Sequence, residues 1–167
     1  MTIHSSDPFA TPEGQRSPVR RLRSRLTAPV TVWTAPGPAG LTVSSVLVAD
    51  GQPGLVLGLI DEESEFWTAA QAAGRFAVTP LRADQRQLAD RFAGLLPAPG
   101  GLFAQEPWQS TPYGPVPVDA PTWAGCRLLD ATPAGWSLLV RAQLDEVVAG
   151  PQEHPLAYFR GRYRELS

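Results

Sequence analysis

The sequence predicts a mainly β protein, a small barrel decorated with two or three short helices. Six or seven segments either alternate apolar and polar residues or carry runs of β-branched and aliphatic residues, as strands do. Only short stretches repeat apolar residues three or four positions apart, and Pro- or Gly-rich turns separate the segments. The 167 residues, 43% of them hydrophobic, are enough for one domain with one core. We assign residues 1–16 to a flexible N-terminal tail and residues 17–167 to this domain.

The first ordered element is predicted to be a short helix. It begins at Ser17, a capping residue, and Pro18, a proline suited to the first helical turn. Val19, Leu22 and Leu26 recur at helical spacing, and arginines occupy most of the other positions. The pattern favours a solvated arginine face, and a phosphate-attracting patch is the alternative.

Three strands are predicted next, over residues 30–34, 41–48 and 55–60. Turns rich in Pro and Gly separate them at residues 36–40 and 50–54. Since consecutive strands joined by short turns usually pair, this segment predicts a hairpin extended into an antiparallel meander.

Two more helices follow. One is predicted over residues 64–73, between the capping residue Ser64 and the stop residue Gly74, and the other over residues 84–93. The remaining predicted strands cover residues 75–81, 122–130, 136–148 and 156–165.

A long loop over residues 95–121 separates the last helix from the last strands. It is rich in Pro and Gly and longer than an ordinary connection, as functional or interface loops are. Phe103, Trp108 and Tyr113 predict an exposed aromatic surface there, and such surfaces mark interfaces. We therefore expect this loop to support a homodimer.

Composition excludes several kinds of chemistry. All 14 basic residues are Arg, and without Lys the chain has neither a Walker-type phosphate loop nor a Schiff-base lysine. Cys126, His4 and His154 are too few for a structural zinc site within one chain, and a metal bound by carboxylates is an alternative for which the sequence has no motif, so we predict no metal. Cys126 is expected to be a small buried hydrophobe. Neither a G-x-G-x-x-G nor a G-x-S-x-G motif occurs.

Charge and hydropathy exclude two kinds of partner. A net charge of −2 gives no global attraction for nucleic acid. The start of the chain lacks the apolar run of a secretory signal, and the strongest apolar stretch, residues 55–60, is too short to cross a bilayer. We therefore expect a cytoplasmic protein that binds neither nucleic acid nor membrane.

One strand stands out from ordinary core patterning. Thr42 and Ser44 fall on the same face of the predicted strand, where two hydroxyls and the nearby backbone amides would offer donors to a planar polar ligand. From the pattern alone, a water-facing side of a hairpin is slightly favoured over this ligand site.

The order and spacing of several blocks resemble the flavin reductase-like, FMN-binding split-barrel family. The first three blocks are APVTVWTA at 28–35, AGLTVSS at 39–45 and LVLGLI at 55–60. Further blocks follow in order: AGRFAV at 73–78, LADRFAG at 88–94, WAGCRL at 123–128 and PLAYFRGRYR at 155–164. The resemblance covers roughly residues 18–166.

The resemblance implies a homodimeric split barrel that binds FMN or FAD and passes hydride to it from NADH or NADPH. Because hydride passes directly between the two rings, no side chain is expected to act as a general acid or base. Thr42, Val43, Ser44 and Ser45 would contact the isoalloxazine and ribityl groups. Ser64 and Arg91 would lie toward the phosphate, with Phe92 as an apolar wall. Members of the family often serve as the reductase component of a two-component monooxygenase.

Two departures from the family pattern favour an alternative, a non-catalytic FMN carrier or accessory protein of the same fold. An acidic stretch, Asp61 to Glu63, follows the third strand where many relatives are basic or hydroxyl-rich. Gly135-Trp136-Ser137 stands where many relatives carry an Asp-His-Thr-like stretch near the nicotinamide; Trp136 would either stack on a ring or belong to the core. A third alternative is another planar ligand, such as a haem or a deazaflavin.

Overall fold

The structure is a computed structural model that describes residues 17–151 and 153–166, and the predicted tail at residues 1–16 lies outside this range. Three α-helices decorate the strands: α1 (Pro18–Ser24), α2 (Glu65–Ala73) and α3 (Arg86–Phe92), the last preceded by a 3-10 turn (Ala83–Gln85). The first six strands are β1 (Ala28–Pro29), β2 (Thr31–Ala35), β3 (Ala39–Val43), β4 (Val46–Ala49), β5 (Leu55–Ile60) and β6 (Arg75–Pro80). The other six are β7 (Trp108–Gln109), β8 (Val116–Pro117), β9 (Thr122–Ala134), β10 (Ser137–Ala149), β11 (Leu156–Phe159) and β12 (Arg162–Glu165).

Seven strands form one curled antiparallel sheet in the order β3-β2-β6-β9-β10-β5-β4. Its edge strands, β3 and β4, are joined by only two residues, Ser44 and Ser45, so the two edges of the sheet meet at this point. The Leu59 N–H donates to the Ser45 carbonyl at 3.0 Å and ties β5 to this junction, which we call the barrel seam. The predicted mainly β barrel with short helices is confirmed.

Aromatic rings fill the barrel. Trp33 stacks on Phe76 with ring centroids 4.8 Å apart, and Phe66 meets both edge-on. Gly58 makes room for this stack, because a Cβ there would lie 2.5 Å from the Trp33 ring. Cys126 is fully buried in the same cluster, as expected of a small hydrophobe.

Helix α2 covers one side of this core. Ser64 caps the helix by accepting the Trp67 N–H at 3.2 Å, and Gly74 ends it in the left-handed region at φ 71°. Phe66, Trp67 and Ala70 are its buried face. Both predicted ends of this helix are therefore confirmed.

A second core lies outside the barrel, between α3, β2 and a three-stranded sheet in the order β1-β11-β12. Phe92 of α3 packs against the rings of Phe103 and Trp108, at centroid distances of 5.2 and 5.5 Å. The prediction of an exposed aromatic surface on the 95–121 loop is therefore wrong, because these rings turn inward. Tyr113 also turns inward, with its ring directly over Gly125.

Two strand predictions are corrected as well. The meander is wrong, because the chain breaks at the seam and β4 and β5 join the opposite edge of the sheet from β3. The single strand predicted over residues 156–165 is a hairpin, turned at Arg160 and Gly161, both with positive φ. Strand-like residues flank both breaks, and neither break has a proline, unlike the turns at residues 36–40 and 50–54.

Candidate functional site

A cavity of about 570 Å³ opens beside the barrel seam. Its walls come from α1 and the segment after it, from the seam and the start of β4, from β5, and from the turn between β11 and β12. The residues that decide its chemistry are Ser44 and Ser45; Leu26, Val46, Leu47, Leu57, Leu59 and Leu139; and Arg20, Arg23 and Arg160. This seam cavity therefore combines hydroxyl, apolar and cationic groups.

The hydroxyl groups belong to the two seam residues. Ser44 and Ser45 are both half-buried, and within residues 17–151 and 153–166 neither hydroxyl has a hydrogen-bond partner. The Ser45 carbonyl is already occupied by the Leu59 N–H. The hydroxyl groups of Ser44 and Ser45 are therefore available to form hydrogen bonds with polar atoms at the edge of a ligand.

The apolar wall comes from residues that face away from the barrel core on neighbouring strands. Leu57 and Leu59 alternate with the buried Val56 and Ile60 along β5, and Leu139 lies opposite Leu59 on β10. A flat row of aliphatic side chains of this kind suits the face of a planar ring system.

The cationic groups stand where α1 meets the β11–β12 turn. The Arg160 N–H donates to the Ser24 carbonyl at 3.0 Å, which fixes the turn against the helix. Arg20 and Arg23 of α1 and Arg160 of the turn line the cavity together. Three of the described lining residues carry guanidinium groups, and none of them carries a carboxylate.

The structure brings two of the seven predicted site residues, Ser44 and Ser45, to this cavity. Thr42 instead turns toward α3, where its buried hydroxyl donates to the Ala89 carbonyl at 2.6 Å. Val43 points into the barrel core. Residues two apart in a strand share a face, but this strand ends at Val43. Thr42 and Ser44 therefore do not share a face, contrary to the prediction.

The other three predicted residues have structural contacts elsewhere. The Ser64 hydroxyl donates to the Asp61 carbonyl at 2.7 Å while it caps α2. The Arg91 side chain, 10% exposed, pairs with Glu106 of the long loop. Phe92 is buried beside the same loop, as an apolar wall of the second core. None of the three lines the seam cavity.

Both departures from the family pattern lie away from the cavity. Asp61 accepts the Glu63 N–H at 2.9 Å, so the acidic stretch folds into an exposed turn before α2. Trp136 is 77% exposed at the tip of the β9–β10 hairpin, and the expectation of a core tryptophan is wrong.

Sequence reasoning missed most of the cavity wall, above all Arg160, Leu57 and Leu139. The crowded arginines of the first helix were a signal, since Arg20 and Arg23 line the cavity. The Arg160 contribution follows only from the turn at 160–161, which the sequence did not predict.

The reactive side chains of the chain stand apart from the cavity. Burial raises the pKa of the Cys126 thiol to about 12, so it is a neutral thiol at neutral pH. His154 is exposed, and its carbonyl accepts the Ala83 N–H at 2.7 Å. Among the described residues no cluster of three or more His, Cys, Asp or Glu could hold a metal. Within the same part of the chain, no helix has the length and apolar character to span a membrane.

Comparison with known proteins gives consistent matches over nearly the whole chain. The model of the flavin reductase like domain matches residues 23–167. An NADH:riboflavin 5'-phosphate oxidoreductase of Streptomyces pristinaespiralis is 35% identical over 163 residues, which cover 93% of this chain and 90% of the relative. An NADH-dependent FMN reductase, RutF of Variovorax paradoxus, is 30% identical over 162 residues, covering 95% and 89%.

A solved structure has the same fold. It is a homologue of nitrilotriacetate monooxygenase component B from Mycobacterium thermoresistibile, with a TM-score of 0.81 and 26% sequence identity. The match covers 90% of this chain and 86% of that one. The two structures therefore share the fold over most of their length, and not only in the sequence blocks around the barrel seam.

Proposed function

This chain belongs to the flavin reductase like domain family, and we propose that it is an NAD(P)H-dependent flavin reductase whose flavin lies in the seam cavity. The observation that carries this placement is the pair of unpartnered hydroxyls at Ser44 and Ser45 beside an apolar wall. An isoalloxazine ring has the matching character, with a flat apolar face and a polar edge of hydrogen-bonding groups. The arginines among the described lining residues also suit an anionic cofactor.

The residues fit a flavin in three respects. Leu57, Leu59 and Leu139 supply a surface on which the ring would lie. Ser44 and Ser45 supply hydroxyls that hydrogen-bond its polar edge. The acidic turn at 61–63 stands outside the cavity, so its charges do not argue against binding.

A bound flavin would supply a two-electron acceptor for hydride from the nicotinamide. The chain's task is to hold the two rings with their reacting atoms roughly 3–3.5 Å apart and to keep water from the ring face. The aliphatic wall around Leu57 and Leu139 performs the second part of that task. Neither Cys126 nor His154 is among the described residues that line the cavity, so neither is assigned a part in proton transfer.

The test is NADH and NADPH oxidation by the purified protein with and without FMN. We expect oxidation that requires both protein and FMN, and we expect Ser44→Val to raise the FMN concentration needed for half-maximal rate. Thr42→Val is the matched control, because its hydroxyl faces α3. FMN binding without any oxidation of either nucleotide would favour the carrier alternative.

We also propose that the protein is a homodimer, and that the interface continues from the rim of the cavity. The support is a set of exposed apolar side chains on α1, on the segment after it and on β4. Val19, Leu22, Leu26 and Leu47 are between 63% and 72% exposed, and Leu26 and Leu47 also line the cavity. Exposed apolar groups of this size mark interfaces, and β4 is in addition an unpaired sheet edge. A second copy placed here would cover the mouth of the flavin site.

A flavin-dependent monooxygenase is the proposed acceptor of the reduced flavin. The similarity to a monooxygenase component B homologue supports this role. In such a system the reductase releases reduced flavin to a second protein, which activates oxygen. A peroxide yield that falls when the monooxygenase is added would be the expected sign of transfer.

A further inference from the structure

A patch of exposed arginines lies where α1 contacts the β11–β12 hairpin. The two elements are joined by the hydrogen bond from the Arg160 N–H to the Ser24 carbonyl at 3.0 Å. Arg162 and Arg164 project from the same side of β12, because residues two apart in a strand share a face. One arginine of the helix and three of the hairpin make up this arginine patch: Arg21, Arg160, Arg162 and Arg164.

The guanidinium groups of the patch have no partners in the described part of the chain. Within residues 17–151 and 153–166, none of the four forms an ion pair or a side-chain hydrogen bond. Of the other arginines in these ranges, only Arg75 shares this condition. The patch is therefore unusual in this chain, where arginines otherwise find acceptors.

The sequence explains why these charges are unpaired. Residues 17–26 contain no acidic residue, and residues 155–166 contain only Glu165, which pairs with Arg86 at 3.3 Å. The chain as a whole has a net charge of −2, so the patch is a local excess of positive charge on an acidic protein. Such an excess repels itself and attracts a surface of the opposite charge.

The chemistry of the patch suits a protein surface that carries carboxylates. Guanidinium groups form paired, charge-assisted hydrogen bonds to carboxylates, and arginine is enriched at protein interfaces. A nucleic acid suits the chain less well, because the acidic surface outside the patch would repel a long polyanion.

The position of the patch indicates which protein would dock there. Arg160 lines the seam cavity, whereas Arg21, Arg162 and Arg164 do not, so the patch begins at the cavity mouth and extends away from it. We propose that the arginine patch docks an acidic surface of the protein that accepts the reduced flavin. The identity of this partner rests on the proposed function, whereas the attraction for an acidic surface does not. Electrostatic steering of this kind speeds association and weakens as salt is added.

The test uses fluorescein-labelled poly-L-glutamate as a defined acidic surface. Its binding is measured by fluorescence anisotropy at about 20 mM and about 200 mM salt. Arg162→Gln/Arg164→Gln removes two charges of the patch and changes no residue that lines the cavity. Arg75→Gln/Arg127→Gln is the matched control, because these two exposed arginines lie opposite each other on β6 and β9 and their replacement changes the net charge equally.

The patch variant should bind poly-L-glutamate more weakly at low salt, roughly two- to thirtyfold for the loss of two exposed ion pairs. The control variant should bind like the parent protein, and high salt should weaken binding by both. In NADH oxidation, poly-L-glutamate should raise the KM for FMN of the parent and the control, because the bound polymer covers the cavity mouth. The patch variant should show a smaller rise, and its kcat without the polymer should equal that of the parent.

Several results would overturn the proposal. Equal loss of affinity in both variants would mean that net charge, and not the patch, attracts the polymer. No binding by the parent at low salt would remove the docking surface altogether. Binding of an oligothymidylate without binding of poly-L-glutamate would assign the patch to nucleic acid.

The kinetic measurements separate the patch from the proposed function. If the parent binds poly-L-glutamate and its KM for FMN does not change, the link between the patch and the flavin acceptor is wrong. If the parent oxidises neither NADH nor NADPH in the presence of FMN, the proposed function fails and the identity of the partner fails with it. The anisotropy measurements would still decide whether the patch binds an acidic surface.

Discussion

Thr42→Val should lower folding stability and leave flavin affinity unchanged. This result distinguishes the position of Thr42 in the structure from the ligand-facing position that the sequence pattern predicted. The Thr42 side chain is 7% exposed, and its hydroxyl donates to the Ala89 carbonyl of α3 at 2.6 Å. Valine has nearly the same shape, so the substitution removes this hydrogen bond without leaving a cavity. The loss falls on the contact between β3 and α3.

The size of the stability loss depends on whether the Ala89 carbonyl keeps a hydrogen-bond donor. Ala89 still accepts the Ala93 N–H at 3.0 Å, so no buried acceptor is left without a partner. The cost is then that of one net hydrogen bond, about 1 kcal/mol, well below the cost of stranding a buried polar group. For a domain of this size the melting temperature should fall by about 2–4 °C.

The assay compares thermal unfolding and FMN titration for Thr42→Val and Ser44→Val. Ser44 is half-buried, and its hydroxyl has no partner among residues 17–151 and 153–166, so its replacement should change stability by less than about 0.5 kcal/mol. If it hydrogen-bonds the ring, FMN affinity should fall roughly 5- to 150-fold. Weaker FMN binding by Thr42→Val at unchanged melting temperature would refute the assignment of these two side chains to opposite faces.

Three further predictions concern the oligomer and the reactive side chains. Leu47→Glu should shift the mass in light scattering from twice the 17.9 kDa chain mass to the monomer, whereas Val118→Glu, an exposed valine outside α1 and β4, should leave the dimer intact. A monomeric parent protein would contradict the proposed interface. The buried Cys126 should resist iodoacetamide until the chain unfolds. The pKa of its thiol is about 12 in the folded chain and 9.0 ordinarily, so the neutral buried thiol contributes to stability in full below pH 9.0. This contribution is lost as the pH rises from 9.0 to about 12. His154→Ala should keep most activity, and the rate should vary little between about pH 6 and 8; a steep profile abolished by this substitution would contradict direct hydride transfer.

The sequence predicts local structure well where one short signal sets it. Ser64 and Gly74 fix both ends of α2 because capping and the left-handed stop are properties of single residues. The burial of Cys126 likewise follows from the strand around it.

Long-range pairing is less visible in the sequence. Apolar, strand-like residues resume in β4 directly after Ser44 and Ser45, and they do not show that the chain has left one edge of the sheet and joined the other. The same limit explains the site. Ser44 and Ser45 follow from the family blocks, whereas Arg160 reaches the cavity only because its turn is held against Ser24, 136 positions earlier in the chain.

Anaerobic mixing of the protein with FMN and NADH tests the central claim most directly. The account predicts loss of the flavin's visible absorption in step with the loss of NADH, one nucleotide per flavin, and a slower reaction for Ser44→Val at limiting FMN. Retention of the oxidised flavin spectrum in the presence of bound FMN and excess NADH and NADPH would contradict it.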